Sequence, residues 1–244
     1  IIRLEHAETI LKEGAVEPKT TNNPDGTGFF VRSDKKLFVV SARHVVEKPY
    51  DLHARVECLN KITNQKEVIL LKLKRQNWVF HPENGDNDSH YVDVATTRIS
   101  LIKDRSIKCF SYTHEQSSKN SDNFPDKDPI PPREILVFGF PLEIGFELLE
   151  QRPFGRAGII SMQTGKKFLK MNLNGINKLA EKRCYVIDVE MFPGNSGSPI
   201  INRMSILDSK LQLLGLISAA NFKMDFAIAE PVSRISETIE IAKD

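Results

Sequence analysis

The chain has 244 residues, 40% of them hydrophobic, and a formal net charge of +2, so it can bury a sizeable core and carries no cationic excess to attract nucleic acid or an anionic membrane. No apolar run approaches the ~18 residues that a spanning helix needs, and no secretory leader pattern opens the sequence. Cys58, Cys109 and Cys184 are odd in number and widely spaced, with neither CxxC nor a histidine at ligand spacing, so neither a disulfide framework nor a zinc site is expected and a reducing, cytoplasmic setting is.

Short apolar stretches rich in Val, Ile, Leu and Phe, separated by turns, predict an all-β chain. Leu37–Val46, LFVVSARHVV, is a β-branched run that ends in small residues and then presents His44. Local basic runs at 72–75 (KLKR) and 165–167 (GKK) read as solvated strand ends. Ser89–Ser100, SHYVDVATTRIS, alternates like a strand and places Asp93 at the head of an apolar segment; Asp86 and Asp88, in the polar loop before it, read as solvated or turn-forming. Residues 113–133 are polar, Pro-rich and poor in aliphatics, the composition of a linker. Phe192–Pro199, FPGNSGSP, sets Ser196 among glycines where a sharp backbone turn is available. Pro231 then suits the first turn of a helix over 231–243, in which Val232, Ile235, Ile239 and Ile241 recur at near-helical spacing.

A serine hydroxyl attacks a carbonyl only with a general base beside it and donors aimed at the developing oxyanion. Ser196 is the candidate nucleophile, His44 the base and Asp93 the group that fixes the imidazole, with the N–H groups of Gly194 and Ser196 as the oxyanion hole. Taken singly each has a bland reading: a Gly/Asn/Ser/Pro cluster is by default a turn, and a histidine by default a core or surface residue. Order separates them from the background, including His6, His53, His81, His90 and His114. His44, Asp93 and Ser196 follow one another with gaps of 49 and 103 residues, the triad order of double β-barrels of the chymotrypsin type. This chemistry needs no cofactor and no metal.

Further segments strengthen the pattern: DGTGFFV (Asp25–Val31), FGFP (Phe138–Pro141), RAGIISM (Arg156–Met162), LLGLISA (Leu213–Ala219) and DFAIAEPVSRI (Asp225–Ile235). With SARHVV and DVATTRI they stand in the order of the trypsin-like serine peptidases, and over most of its length the chain resembles the non-zymogen branch that includes the high-temperature-requirement and glutamyl endopeptidase-like proteases. The resemblance implies two six-stranded antiparallel β-barrels, 25–112 carrying His44 and Asp93 and 134–230 carrying Ser196, joined by the 113–133 linker and closed by the C-terminal helix. It implies a serine endopeptidase acting on protein or peptide, with Ser218 supporting Asp93. It also points to Glu190, Ile217 and Asp225 around the specificity pocket. Two acids there would favour Arg or Lys before the scissile bond; alternatively the strand-like alternation of VIDVEMF turns Glu190 to solvent and leaves Met191 and Phe192 to shape an apolar pocket.

Departures from the family matter. Ile1-Ile2 is similar to the terminus of activated trypsins, yet Asn195 stands where their partner aspartate does, so no ion pair can couple activation to a freed amine. Ser198 replaces the more usual glycine. Ile217 occupies the position of the glutamate-reading histidine, which speaks against glutamate specificity. No PDZ module is expected after the helix; a regulatory partner or domains outside this chain stay open. Two rival readings are a catalytically idle trypsin-fold binding or scaffold module and an esterase; the complete triad weighs against the first, the absence of a G-x-S-x-G elbow against an α/β-hydrolase form of the second.

Overall fold

In a computed structural model the described residues are 1–10, 19–82, 92–100, 104–107, 109–112, 129–141, 153–164, 168–173, 176–181, 184–207, 211–221 and 225–243. The linker segment 113–128, Asp86, Asp88 and the GKK run lie outside them.

Strand β1 (Ile2–Ile10) pairs with β2 (Lys19–Ser33), and β3 (Lys36–Ser41) folds back antiparallel on β2. From Leu37 to Ser41 every residue of β3 is buried, as befits a β-branched and aromatic run in the middle of a sheet. A short helix α1 (Arg43–Val46) follows and carries His44. Strands β4 (Leu52–Asn60), β5 (Lys66–Leu73), β6 (Trp78–Phe80) and β7 (Ala95–Ile99), with the short β8 (Arg105–Ser106) and β9 (Phe110–Tyr112), complete a nine-stranded sheet in the order β5-β4-β1-β2-β3-β7-β6. Here β8 pairs with β4, and β9 runs parallel to β2. The sheet therefore begins well before residue 25, because Ile2 and Leu4 are core residues of this half.

The second half closes. Strands β10 (Arg133–Gly139), β11 (Phe154–Gln163), β14 (Tyr185–Asp188), β15 (Pro199–Asn202), β16 (Leu213–Asn221) and β17 (Phe226–Pro231) form an antiparallel barrel in the order β10-β11-β14-β17-β16-β15, and β12 (Phe168–Leu173) and β13 (Ile176–Glu181) make a separate hairpin. Alternation along β10 sends Ile135 and Val137 into a core shared with Ile160, Tyr185, Ile187 and Leu214. After β15 comes a one-turn helix α2 (Arg203–Leu207). None of the three cysteines is in a disulfide.

Helix α3 (Val232–Ile241) starts after Pro231, whose fixed φ of −64° suits a helix entry. Its apolar stripe bridges the two halves: Val232, Ile235 and Ile239 join one core with Val45 and Val94 of the first half and Leu213 and Leu216 of β16. At its middle Glu237 binds His81 Nε2 at 2.7 Å and Arg234 at 2.9 Å. His81 is buried just after β6, and its N–H donates to the Val94 carbonyl next to Asp93. The helix is thus tied to the segment that carries Asp93.

The hydrogen bond from His81 is the largest cause holding the Glu237 carboxyl below the ordinary range, with Arg234 adding to it against partial burial. A carboxyl with a depressed folded-state value stabilises while ionised and loses that contribution as pH falls through the folded value. Glu237→Gln should therefore melt below the wild type above about pH 5, with the gap closing in acid. Thermal melts across that range check it, and a gap that widens on acidification would contradict the assignment.

Candidate active site

Asp93 precedes β7 and is 2% exposed. A carboxylate taken out of water needs donors, and it has them: His44 N–H at 2.9 Å to Oδ1, His44 Nδ1 at 2.7 Å and Ser218 Oγ at 2.6 Å to Oδ2. His44 and Asp93 come from the first half and Ser218 from β16 of the second. Because an ionised carboxylate only accepts, Nδ1 carries a proton, and in the neutral ring this leaves the lone pair on Nε2. The imidazole side chain is 44% exposed, so its unbonded edge looks onto open space.

The Ser196 segment is built from two successive turns. Asn195 N–H bonds the Phe192 carbonyl at 3.1 Å, with Pro193 and Gly194 (φ 93°) between them; Ser198 N–H bonds the Asn195 carbonyl at 3.0 Å, with Ser196 and Gly197 (φ 84°) between. Proline second and a positive-φ residue third is the signature of a type II turn, and only glycine adopts that φ without strain. Among the described residues no acceptor takes up the N–H of Gly194 or of Ser196, whereas that of Asn195 between them closes the first turn.

Thr27, in the GTGF stretch of β2, straps this segment to the first half. Its hydroxyl donates to the Gly194 carbonyl at 2.8 Å and accepts from Phe140 N–H at 3.0 Å; its own N–H donates to the Ser196 carbonyl at 3.0 Å. Ser41 Oγ in turn donates to the Thr27 carbonyl at 2.7 Å. Packing is so close that a Cβ on Gly197 would collide with the Thr27 carbonyl and the Ser41 hydroxyl and lie 3.1 Å from Ala42 N, two residues before His44. On the other side Gly197 N–H bonds the Ile217 carbonyl at 2.7 Å and Ile217 N–H bonds the Ser198 carbonyl at 2.9 Å, next to Ser218. Ser196, His44 and Asp93 are thus gathered where the halves meet. Thr27 escaped the sequence reading, since a threonine between glycines in a strand announces nothing beyond β propensity.

The residues assigned to the specificity pocket are placed differently from one another. Glu190 has a side chain 66% exposed and is ion-paired with Arg156 at 2.5 Å. The Arg156 guanidinium also lies 4.3 Å above the Phe192 ring and 5.1 Å from that of Phe154. Ile217 and Met191 are buried in the barrel core, and Asp225 is exposed at a turn with φ 50°. Asn195 is buried, while Ile2 is committed to β1, paired with Gly28.

The family model of the trypsin-like peptidase domain matches residues 26–205, a span that contains His44, Asp93 and Ser196. The chain belongs to the trypsin-like peptidase domain family. Among solved structures, the inactive form of the Rv3671c protease is 16% identical with a TM-score of 0.51, covering 90% of this chain and 84% of that one. The active form of the Rv3671c protease from M. tuberculosis is 14% identical with a TM-score of 0.51, covering 98% and 78%. At such identities the likeness shows the trypsin-like fold. No curated protein matches the chain.

In this trypsin-like domain Thr27→Val keeps the side-chain shape but removes both hydroxyl bonds, leaving the Gly194 carbonyl and the Phe140 N–H without that partner. A cost of about 1–3 kcal/mol is expected, or a fall in melting temperature of about 3–10 °C, together with slower covalent labelling of Ser196. Calorimetry and labelling on the same preparation test this, and an unchanged melt would show that the hydroxyl is not a strap.

Proposed function

We propose that this chain is a serine endopeptidase that cleaves protein or peptide through a His44–Asp93–Ser196 triad and an acyl-enzyme. What carries the reading is the grip of buried Asp93 on His44, through both Nδ1 and the backbone N–H, opposite a serine loop strapped alongside. His44 Nε2 takes the proton from Ser196 Oγ as that oxygen attacks the scissile carbonyl, and Asp93 stabilises the imidazolium. The N–H groups of Gly194 and Ser196 receive the oxyanion. The imidazolium then protonates the leaving amine, and water hydrolyses the ester by the same route in reverse. Ser218 holds Asp93 from the second half. A complete constellation of this kind favours an active peptidase over an idle binding or scaffold module.

For substrate preference, the surface pair of Glu190 with Arg156 favours the apolar reading. The Glu190 charge is already met, Asp225 is exposed, and a cationic residue before the scissile bond would gain little from either.

Two measurements follow. In a fluorescent casein assay, Ser196→Ala and His44→Ala should each lower kcat by about 10⁴-fold or more, and the double variant should lose little beyond either single one, because the two groups act as a unit. Turnover that persists in purified Ser196→Ala would sink the assignment. A mixed peptide library should show cleavage mainly after apolar residues, with the profile unaltered by Glu190→Gln. Dominant cleavage after Arg or Lys, lost in Glu190→Gln, would instead restore the acidic pocket.

A further inference from the structure

Glu230 is fully buried near the end of β17, where a charged side chain is rarely found unless it has a specific partner. Its partner is Asp93: the Asp93 N–H donates to Glu230 Oε1 at 2.9 Å, a bond that reaches across 137 residues and across the junction of the two halves. The strand that presents it is tightly held. Glu230 is opposite Leu216 in the β16–β17 register, and a Cβ on Gly215 would collide with the Glu230 carbonyl, so β17 lies closely against the strand that carries Ser218.

Asp93 is consequently gripped at both ends. Its carboxylate is fixed by His44 and Ser218, its carbonyl accepts Arg43 N–H at 3.3 Å, and its N–H is fixed by Glu230. The backbone sets how high the carboxylate sits beneath the imidazole, and a misplacement of ~1 Å at such a point can cost about 10²-fold in rate. We propose that Glu230 is a positioning residue of the peptidase site, anchoring the Asp93 main chain so that its carboxylate meets His44 at the right distance. This rests on the proposed triad.

The test is the rate at which a fluorophosphonate probe phosphonylates Ser196, resolved into kinact and KI. Glu230→Met keeps the bulk and loses the acceptor; Glu230→Gln keeps an acceptor oxygen in the same place. The expected result is a fall in kinact of ~10–100-fold for Glu230→Met with KI within about twofold, and recovery to within about threefold of the wild type in Glu230→Gln. A folded Glu230→Met that labels at the wild-type kinact, or a Glu230→Gln that falls as far, would overturn the proposal. Should Glu230→Met show no cooperative melt, Glu230→Asp is read by the same criteria, because it keeps the carboxylate but withdraws it by one methylene: about tenfold lower kinact supports the role and a wild-type kinact overturns it. Wild-type protein that fails to react at Ser196 would overturn the triad itself and this role with it, whereas normal wild-type labelling beside an undiminished variant removes Glu230 alone.

Discussion

A buried carboxylate must be paired, and in this molecule the pairing of Asp93 is what holds two halves of a chain in one relation. Its donors come from α1 on one side and from β16 on the other, and its own N–H is accepted from β17. Sliding the halves apart would strand a charge in a poorly solvated place, a loss of about 3–5 kcal/mol for a broken buried pair of this kind. Hydrophobic burial also crosses the junction, since Ile201, Leu213 and Leu216 of the second half share a core with the first, but it is less directional. The polar contacts at Asp93 and Thr27 are directional and fix the register. Helix α3 adds a third tie by carrying the end of the second half back into the core of the first.

Within that frame the proposed chemistry divides between the halves. The first supplies an imidazole whose tautomer is set by an acceptor-only partner; the second supplies a hydroxyl on a loop shaped by two glycines of positive φ. On that reading neither half suffices, since His44 and Asp93 lie in the first whereas Ser196 and the Ser218 that bonds Asp93 lie in the second. Arg156 neutralises Glu190 and lies over Phe192, so the loop is flanked by an aromatic surface and a compensated ion pair instead of an open charge.

Much of the fold and of the candidate site is legible in the sequence because its signals are local. His44 follows a strand-like apolar run, Asp93 heads an alternating one, and the glycines around Ser196 mark turns within a few residues. Ser218 became legible through the order of its segment. Other features depend on pairings between distant residues and left no local trace. Thr27 looks like a strand threonine, and Glu230 looks like a solvated residue ahead of a helix-starting proline. Arg156 and Glu190 are 34 residues apart on different segments. Strand β1 is illegible for another reason: IRLEHAETI carries too many polar residues to read as a core strand, although Ile2 and Leu4 enter the core, buried Glu5 is held by Arg55 of β4, and a register shift after Leu4 lets the rest run on as a hairpin with β2.

The proposed peptidase chemistry requires the two turns around Ser196 to present a hydroxyl and two N–H groups to one reacting centre under the edge of His44. A crystal structure of the protein after reaction with diisopropyl fluorophosphate tests this most directly. The expected structure has phosphorus bonded to Ser196 Oγ, a phosphoryl oxygen about 2.7–3.1 Å from the N–H groups of both Gly194 and Ser196, and His44 still held by Asp93. An adduct on another residue, or one on Ser196 whose phosphoryl oxygen points away from both N–H groups, would contradict it.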